Sequence, residues 1–348
     1  MRFGVLPLVN NRVFKGLAYF AVSVLVIFLL RGRLWEVLSS ADKISEIPVW
    51  AWILMVVLES VSFACIWWLF KLVLPNVSWG VIAKSQLISN ASSRVIPGGA
   101  ATGGAVQYRV LTGAGVDSAA AGGSLAATSI LTFMGLFFIP ALAGLVALVS
   151  APLERDLAWG AVGGAALLVV TGVAGYSLVR FNRPLLVVNA GIDSVASRVA
   201  GLFRSSWQKN PSRLVDERNR IITSIDRRWG RVFLASIGKW LADFLVLYIA
   251  IASISDVAGL EFPLLLLAYA GASVLVMIPV TPGGFGIVEV GLASLLISAG
   301  VVMDPALLAV FAYRLLSFWL PIVVGGVTLL FGNSKYLSEP AEAPTPAA

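Results

Sequence analysis

The sequence predicts an all-α, polytopic membrane protein with about six spanning helices and two re-entrant hairpins, arranged as an inverted repeat. Three observations support this fold class. The 348-residue chain is 59% hydrophobic and only 12% charged, with a mean hydropathy of +0.92, whereas ordinary globular domains carry about 25% charged residues. Several stretches reach the roughly 20 apolar residues that cross the ~30 Å hydrocarbon core of a bilayer. A Pro-Gly-Gly motif also occurs twice inside such stretches.

Six apolar stretches are long enough to span the membrane without interruption. They lie at about 13–30, 49–74, 118–149, 157–180, 231–255 and 305–332. Two further stretches, at about 80–112 and 263–300, are interrupted by Pro97-Gly98-Gly99 and Pro282-Gly283-Gly284. Proline removes a helix hydrogen bond and glycine loosens the backbone, so each stretch is expected to form a half-helix, a bend and a second half-helix. Such backbone survives at this depth only when it is buried in protein or lines a wet cavity.

The two interrupted stretches are related by a shift of 185 positions. The 22 positions that begin at Val95 and Val280 contain eight identities without a gap. The identities outside the Pro-Gly-Gly motif include Leu111 with Leu296, and Ala114-Gly115-Val116 with Ala299-Gly300-Val301. A duplicated, Pro/Gly-interrupted apolar segment is the best pointer in a sequence to the binding site of a transporter.

This duplication sets the expected domain organisation. Residues 1–335 form one transmembrane domain, with repeat 1 at about 49–149 and repeat 2 at about 231–332. The tail at 336–348, which is rich in proline and alanine, is expected to be disordered.

The basic residues predict the orientation. The loop at about 181–231 holds ten Lys and Arg residues against four acidic ones, a net charge of +6 out of +7 for the whole chain. By the positive-inside rule this loop is cytoplasmic, as are both termini, and the two repeats then run antiparallel. Its apolar residues recur at helical spacing, which is typical of amphipathic helices at a membrane surface. We expect no nucleic-acid partner, because basic juxtamembrane loops are the norm on the inner face.

Several classes of activity are disfavoured by composition. The chain has one cysteine, Cys65, and no histidine, so it lacks the commonest general base and the commonest metal ligand. We therefore expect no catalytic residues, no metal and no cofactor. No phosphate-binding loop ending in Gly-Lys-Ser/Thr is present, which argues against ATP-driven transport. An intramembrane enzyme would have to rely on Glu289 alone for acid–base chemistry.

Charged residues inside spanning segments cost about 2.5–3.5 kcal/mol each on insertion scales, so each one needs a reason. Arg94 precedes the first bend, and Gln107, Tyr108 and Arg109 follow it. This set suits a phosphate group, because arginine offers a planar fork to phosphate oxygens. The half-helix after the bend would add free N–H groups and a positive dipole end. The alternative is that both arginines extend to the cytoplasmic interface.

Two further pairs of intramembrane charges are candidates. Glu289, just after the second bend, and Arg314, in the last span, are expected to meet at the repeat interface for headgroup binding or gating, or as a static ion pair. Glu59, shifted by 185, falls one residue from Asp243, so these two are candidate symmetric sites for ion coupling. Alternatively, Asp243 pairs with Lys239 one helical turn away and is structural.

Three segments carry a resemblance to a known family. SSRVIPGGAATGGAVQYRVLTGAGV, MIPVTPGGFGIVEVGLASLL and VFAYRLLSFWLPIVVGG are similar to the membrane region of the lysylphosphatidylglycerol synthase/flippase family. The resemblance runs from about residue 10 to 332, and Thr281 to Glu289 is its most specific part. In full-length members the membrane region flips an aminoacylated phospholipid that a separate soluble domain makes. Because this chain ends at Ala348, the resemblance implies transport without aminoacyl transfer.

The expected function is therefore lipid transport in the bacterial cytoplasmic membrane. Relatives imply an anionic phospholipid or a polyprenyl glycolipid as the substrate, and membrane lipids as the main partners. The alternative is a non-transporting scaffold that docks a separate lipid-modifying enzyme or glycosyltransferase through the basic loop. The repeated bends favour transport, because a scaffold needs no broken helices at mid-membrane.

Overall fold

The regular secondary structure of this protein is helical throughout its described parts. The computed structural model describes residues 47–96, 99–150, 213–255, 260–275, 284 and 286–331, with scattered residues between 166 and 190. The helices of the described part are α1 (Val49–Val73), α2 (Trp79–Val95), α3 (Gly99–Gly113), α4 (Ser118–Ser150), α5 (Arg213–Ile225), α6 (Trp229–Ile254), α7 (Phe262–Leu275), α8 (Ile287–Ser298), α9 (Met303–Arg314) and α10 (Leu320–Phe331). A 3₁₀ turn (Asp226–Arg228) precedes α6, and a π-helical turn (Leu315–Trp319) joins α9 to α10.

Four helical segments of the described part are long and apolar enough to cross a membrane. They are Val49–Val73, Ser118–Pro140, Trp229–Ile254 and Met303–Leu330. The helices expected at about 49–74, 118–149, 231–255 and 305–332 are thus present. The span expected at 13–30 lies outside the described residues, and of the one at 157–180 only scattered residues from 166 onward are described.

Each Pro-Gly-Gly stretch consists of two short antiparallel helices. In the first, Ser89 Oγ donates to the Gly103 carbonyl (2.9 Å), and Gln107 Nε2 reaches Ser85 Oγ (3.5 Å). Residues nearer the bend on α2 therefore face residues nearer the bend on α3. In the second, Gly271 of α7 lies next to the Leu295 side chain of α8, and Gly291 of α8 lies next to the Leu275 side chain of α7. This pairing shows that α7 and α8 are also antiparallel. The helical interruptions fall where the sequence predicts them; entry of the hairpins into the membrane stays a prediction.

The repeated residues adopt repeated backbone conformations. Gly99 and Gly284, the last glycines of the two motifs, both have a positive φ (51° and 71°). The other bend residues, Pro97, Gly98, Pro282 and Gly283, lie outside the described part.

The identities at the far end of each hairpin form the same helix cap. Gly115 and Gly300 lie in the left-handed region (φ 86° and 94°), which favours glycine. Val116 N–H donates to the Leu111 carbonyl (3.1 Å) and Val301 N–H donates to the Leu296 carbonyl (3.0 Å). These are Schellman caps, in which the N–H beyond the glycine satisfies a carbonyl of the last turn. The internal identities therefore have a structural cause: both half-helices end in one capping motif.

The first helices of the two repeats, α1 and α6, run antiparallel and form the most extensive helix pair among the described elements. Near one end, Leu69 and Leu72 of α1 pack with Val232 and Ala235 of α6. Towards the other end, Met55 of α1 belongs to the main apolar cluster with residues of the second half of α6. Antiparallel first helices are what an inverted repeat requires.

The two hairpins are exchanged between the halves of the bundle. The first helix of each hairpin packs on the last helix of the other repeat, α2 on α10 and α7 on α4. The main apolar core combines α1, α4, α6, α7, α8 and α9. This arrangement brings the ends of α2 and α8 that flank the bends towards the π-helical turn after α9.

Candidate functional site

The second hairpin and the last span meet through an ion pair. Arg314 Nε donates to Glu289 Oε1 at 2.7 Å. The other oxygen of this carboxylate, Oε2, accepts from the Gly286 N–H at 2.6 Å, so Glu289 also caps the first turn of α8. The Arg314 side chain is 8% exposed and the Glu289 side chain 29% exposed. The structure thus brings together the two charges that the sequence predicts to meet, and the pair remains accessible from the glutamate side.

The π-helical turn after Arg314 has a local cause in the sequence. Pro321 has no N–H to donate to the Ser317 carbonyl four residues earlier, and its ring crowds that carbonyl. The helix widens there, and Leu320 N–H donates to the Leu315 carbonyl five residues back. Arg94 Nη2 replaces the missing helix donor and donates to the Ser317 carbonyl at 2.9 Å. π-Helical turns occur frequently at functional sites.

Arg94 is a cation without an adjacent carboxylate. Its Nη1 donates to the Asn90 Oδ1 (2.9 Å), and its Nη2 to the Ser317 carbonyl. The ring of Phe318 lies 5.9 Å from the Arg94 guanidinium carbon and 4.4 Å from that of Arg314. Within the described part of the chain, no carboxylate lies within ion-pair distance of Arg94. Arg94 therefore has no direct carboxylate partner, and Glu59 and Asp243 act on its charge only at longer range.

A second polar cluster lies where α1 packs on α6. Glu59 and Asp243 are 4% and 7% exposed, although both occupy the middle of long apolar helices. Asp243 Oδ2 accepts hydrogen bonds from the hydroxyl groups of Tyr269 and Tyr313, the latter at 2.9 Å. Glu59 interacts electrostatically with Asp243, and its Oε2 atom is buried without a hydrogen-bond partner among the described residues. The structure therefore brings the two predicted ion-coupling residues together.

Lys239 is not held by the ion pair that its spacing suggests. Its ammonium group lies 3.2 Å from the centroid of the Trp240 ring. It interacts electrostatically with Asp243 and Glu59, but these described side chains form no ion pair of 4.0 Å or less with it. The hydrogen bonds that position Asp243 come from the two tyrosines instead.

The other predicted binding residues lie at the far end of the first hairpin. Gln107 is buried between α2 and α3, and Tyr108 packs on the apolar cluster that contains Leu111. Arg109 is exposed. Ten residues of α3 separate Arg109 from the bend, which corresponds to about 15 Å. The structure does not bring these three side chains to Arg94, and the position of Arg109 agrees with the alternative of an interfacial arginine.

Sequence reasoning missed four residues of the site: Ser317, Phe318, Tyr269 and Tyr313. The available signal for the first two was Pro321, which lies inside a spanning segment and leaves a carbonyl without its helix donor. Nothing local marks the tyrosines, because their contact with Asp243 joins positions 26 and 70 residues apart. No group of three or more His, Cys, Asp or Glu residues in the described part could hold a metal ion.

A cavity of about 460 Å³ lies away from this site, between the α1–α2 turn and the α3–α4 turn. It is lined by the Leu74–Ser78 and Ala114–Asp117 segments and by Arg220 of α5. None of the candidate charged residues of the bundle interior contributes to it.

Comparison with known proteins agrees with this architecture. The family model described as "Lysylphosphatidylglycerol synthase TM region" matches residues 16–325. The chain is also 35% identical over 111 residues to the "UPF0104 membrane protein PH1989" of Pyrococcus horikoshii. That match covers 32% of this chain and 32% of the archaeal protein, so the chain spans about a third of the curated relative that it matches. This chain is a multi-pass membrane protein that belongs to the family of the lysylphosphatidylglycerol synthase transmembrane region.

Proposed function

We propose that this protein is a lipid flippase-like transporter that moves a lipid with a phosphate-containing headgroup across the bacterial cytoplasmic membrane, with both termini in the cytoplasm. The headgroup binds beside Arg94 and Arg314, and the acyl or polyprenyl chains remain in the bilayer. Anionic phospholipids and polyprenyl glycolipids share this phosphate chemistry. The protein itself performs no chemical conversion, and the family description is in keeping with that role.

The observation that carries the proposal is the charge of Arg94. Its guanidinium is held by neutral acceptors, Asn90 and the Ser317 carbonyl, rather than by a carboxylate. Arg94 is half-buried, and a partly desolvated cation is costly when no carboxylate pairs with it directly and only the more distant Glu59 and Asp243 offset its charge. An anionic phosphate would supply that opposite charge, and arginine binds phosphate with two parallel hydrogen bonds.

The surroundings of Arg94 favour a moving anion over a permanent one. Arg314 is already paired with Glu289, so Arg94, Arg314 and Glu289 together carry one net positive charge. The π-helical turn that Arg94 contacts and the bends that flank α2 and α8 interrupt regular helix hydrogen bonding. Interrupted helices near the membrane centre are the usual setting for substrate sites in transporters built from inverted repeats.

Transport can be tested with purified protein in liposomes of phosphatidylethanolamine and phosphatidylglycerol that contain fluorescent phosphatidylglycerol. Reduction of the outer-leaflet fluorophore by an impermeant reagent reports the rate of crossing. We expect wild-type protein to accelerate crossing over empty liposomes. We expect Arg94→Gln to lower the protein-dependent rate about tenfold or more, because a hydrogen bond to a charged group contributes about 1.5–3 kcal/mol.

Arg231→Gln is the matched control, because it removes an exposed arginine at the start of α6. It should retain the wild-type rate. A polyprenyl phosphate probe in the same liposomes separates the two substrate classes. The proposal fails if neither probe crosses faster than in protein-free vesicles.

The scaffold alternative makes a different prediction. If the protein only docks a separate lipid-modifying enzyme, removing the basic loop should abolish function, whereas Arg94→Gln should leave it intact. Of this loop, α5 is described and carries exposed arginine and acidic side chains. A transporter that works beside such an enzyme would lose function in both variants.

A further inference from the structure

The Glu59–Asp243 pair lies at a special position in the fold. The two residues are repeat equivalents to within one position, and they face each other across the antiparallel α1–α6 pair. In two antiparallel helices related by a two-fold axis, equivalent residues meet only at the axis itself. The pseudo-two-fold axis of the inverted repeat therefore passes between these two carboxyl groups.

Two buried carboxylates that act on each other electrostatically repel, so binding of a proton to one of them is favoured. Glu59 and Asp243 interact electrostatically, and both residues are more than nine-tenths buried. Glu59 Oε2 has no hydrogen-bond donor among the described residues. Leaving a bare carboxylate oxygen unpaired in a low-dielectric interior is costly. A proton bound to Glu59 removes one of the two charges and ends the cost of a bare carboxylate at Oε2.

We propose that Glu59 and Asp243 form a proton-binding site, and that one proton moves across the membrane together with each anionic headgroup. This inference rests on the proposed function, because it assigns the ion that the lipid site is coupled to. A proton suits the site better than a metal cation, since Lys239 and Arg94 already act electrostatically on Glu59.

The two sites are linked through α9 and by charge. Tyr313, which donates to Asp243, is the direct neighbour of Arg314, which binds Glu289. The other groups that act on the carboxyl pair are Lys239, Tyr269 and Arg94. On the adjoining side, Ser236 and Trp240 of α6 donate hydrogen bonds to backbone carbonyls of α4.

Counting charges gives the direction of the coupling. With both carboxyl groups ionised, three cations (Arg94, Lys239, Arg314) face three anions (Glu59, Asp243, Glu289), and the cluster is neutral. One bound proton makes the cluster positive by one charge. Proton binding therefore strengthens binding of an anionic headgroup, and by linkage the headgroup strengthens binding of the proton. One anion with one proton crosses the membrane without net charge.

The test uses the same phosphatidylglycerol liposomes with a pH difference across the membrane. Each pH unit should change the steady-state leaflet ratio of the probe by about tenfold for one proton per lipid. A potential set with potassium and valinomycin should leave the ratio unchanged. Glu59→Gln should lose the response to the pH difference, whereas Glu261→Gln, the same change at an exposed position, should keep it.

Infrared difference spectroscopy of the purified protein gives a readout that does not need transport. A protonated-carboxyl C=O band should appear on acid titration, and it should be lost in Glu59→Gln and in Asp243→Asn. The proton assignment would be overturned if the leaflet ratio produced by wild-type protein did not change with the pH difference, or if it changed with a sodium gradient at constant pH. Either result would leave the transport proposal intact. If no lipid crosses at all, the transport proposal fails, and absence of the band from wild-type protein then overturns the proton site as well.

Discussion

The contact between α2 and α10 offers a sharp test of the packing that positions Arg94. A Cβ built on Gly325 would lie 2.7 Å from the Ala91 Cβ and 3.0 Å from the Leu87 carbonyl carbon. Carbon atoms normally approach to about 3.5–4.0 Å, so Gly325→Ala requires the two helices to separate by about 1 Å. The obstructing atoms are backbone and a Cβ, which cannot move aside as a flexible side chain would.

The next residue provides a matched control. A Cβ on Gly326 meets no atom within 4 Å, so Gly326→Ala changes the same helix without the clash. Both variants gain the same helix propensity, up to about 1 kcal/mol. Their difference therefore isolates overpacking, which typically destabilises by about 1–3 kcal/mol.

Thermal melting of the detergent-purified variants measures this difference. We expect the Tm of Gly325→Ala to lie below that of Gly326→Ala by about 2–4 °C for each kcal/mol. Helix separation should also weaken the 2.9 Å bond from Arg94 to the Ser317 carbonyl, so transport should fall in Gly325→Ala and not in Gly326→Ala. Equal melting temperatures for the two variants would refute the close approach of α2 and α10.

Two other predictions follow from the hairpins. A Cβ on Gly103 would lie 2.9 Å from a backbone carbonyl oxygen of α2, whereas one on Gly104 meets nothing within 4 Å; Gly103→Ala should therefore lower the Tm by several degrees relative to Gly104→Ala, and similar values would contradict the tight first hairpin. The inverted repeat predicts that single cysteines at Gly113 and Val302, both exposed, react with an impermeant reagent from opposite sides of the membrane in a Cys65→Ala background. Labelling of both from one side would exclude the inverted orientation.

Much of the architecture follows from local sequence. Runs of apolar residues predict the helices from Val49, Ser118, Trp229 and Met303 because any helix in lipid must satisfy its backbone internally. The interruptions near residues 97 and 282 follow from proline and glycine, whose backbone preferences do not depend on distant residues. The resemblance to the family is likewise confirmed.

The candidate site was predicted in part. Arg94, Glu289 and Arg314 were identifiable because a charge inside an apolar span is costly and therefore conspicuous. Gln107, Tyr108 and Arg109 seemed to belong with Arg94 because they are close in the chain. In three dimensions the length of α3 separates them from it, so proximity along the chain was a poor guide.

The sequence by itself determined that this is a multi-pass membrane protein of helices, where its helices break, and that its halves repeat, because each of these properties is encoded within one or two helical turns. Only the tertiary structure decided which buried charges meet. Arg94 reaches a carbonyl 223 residues away, and Glu59 faces Asp243 from another helix. Such contacts depend on how each helix is rotated and how far it is shifted along its neighbours, and these are set by the packing of the whole bundle.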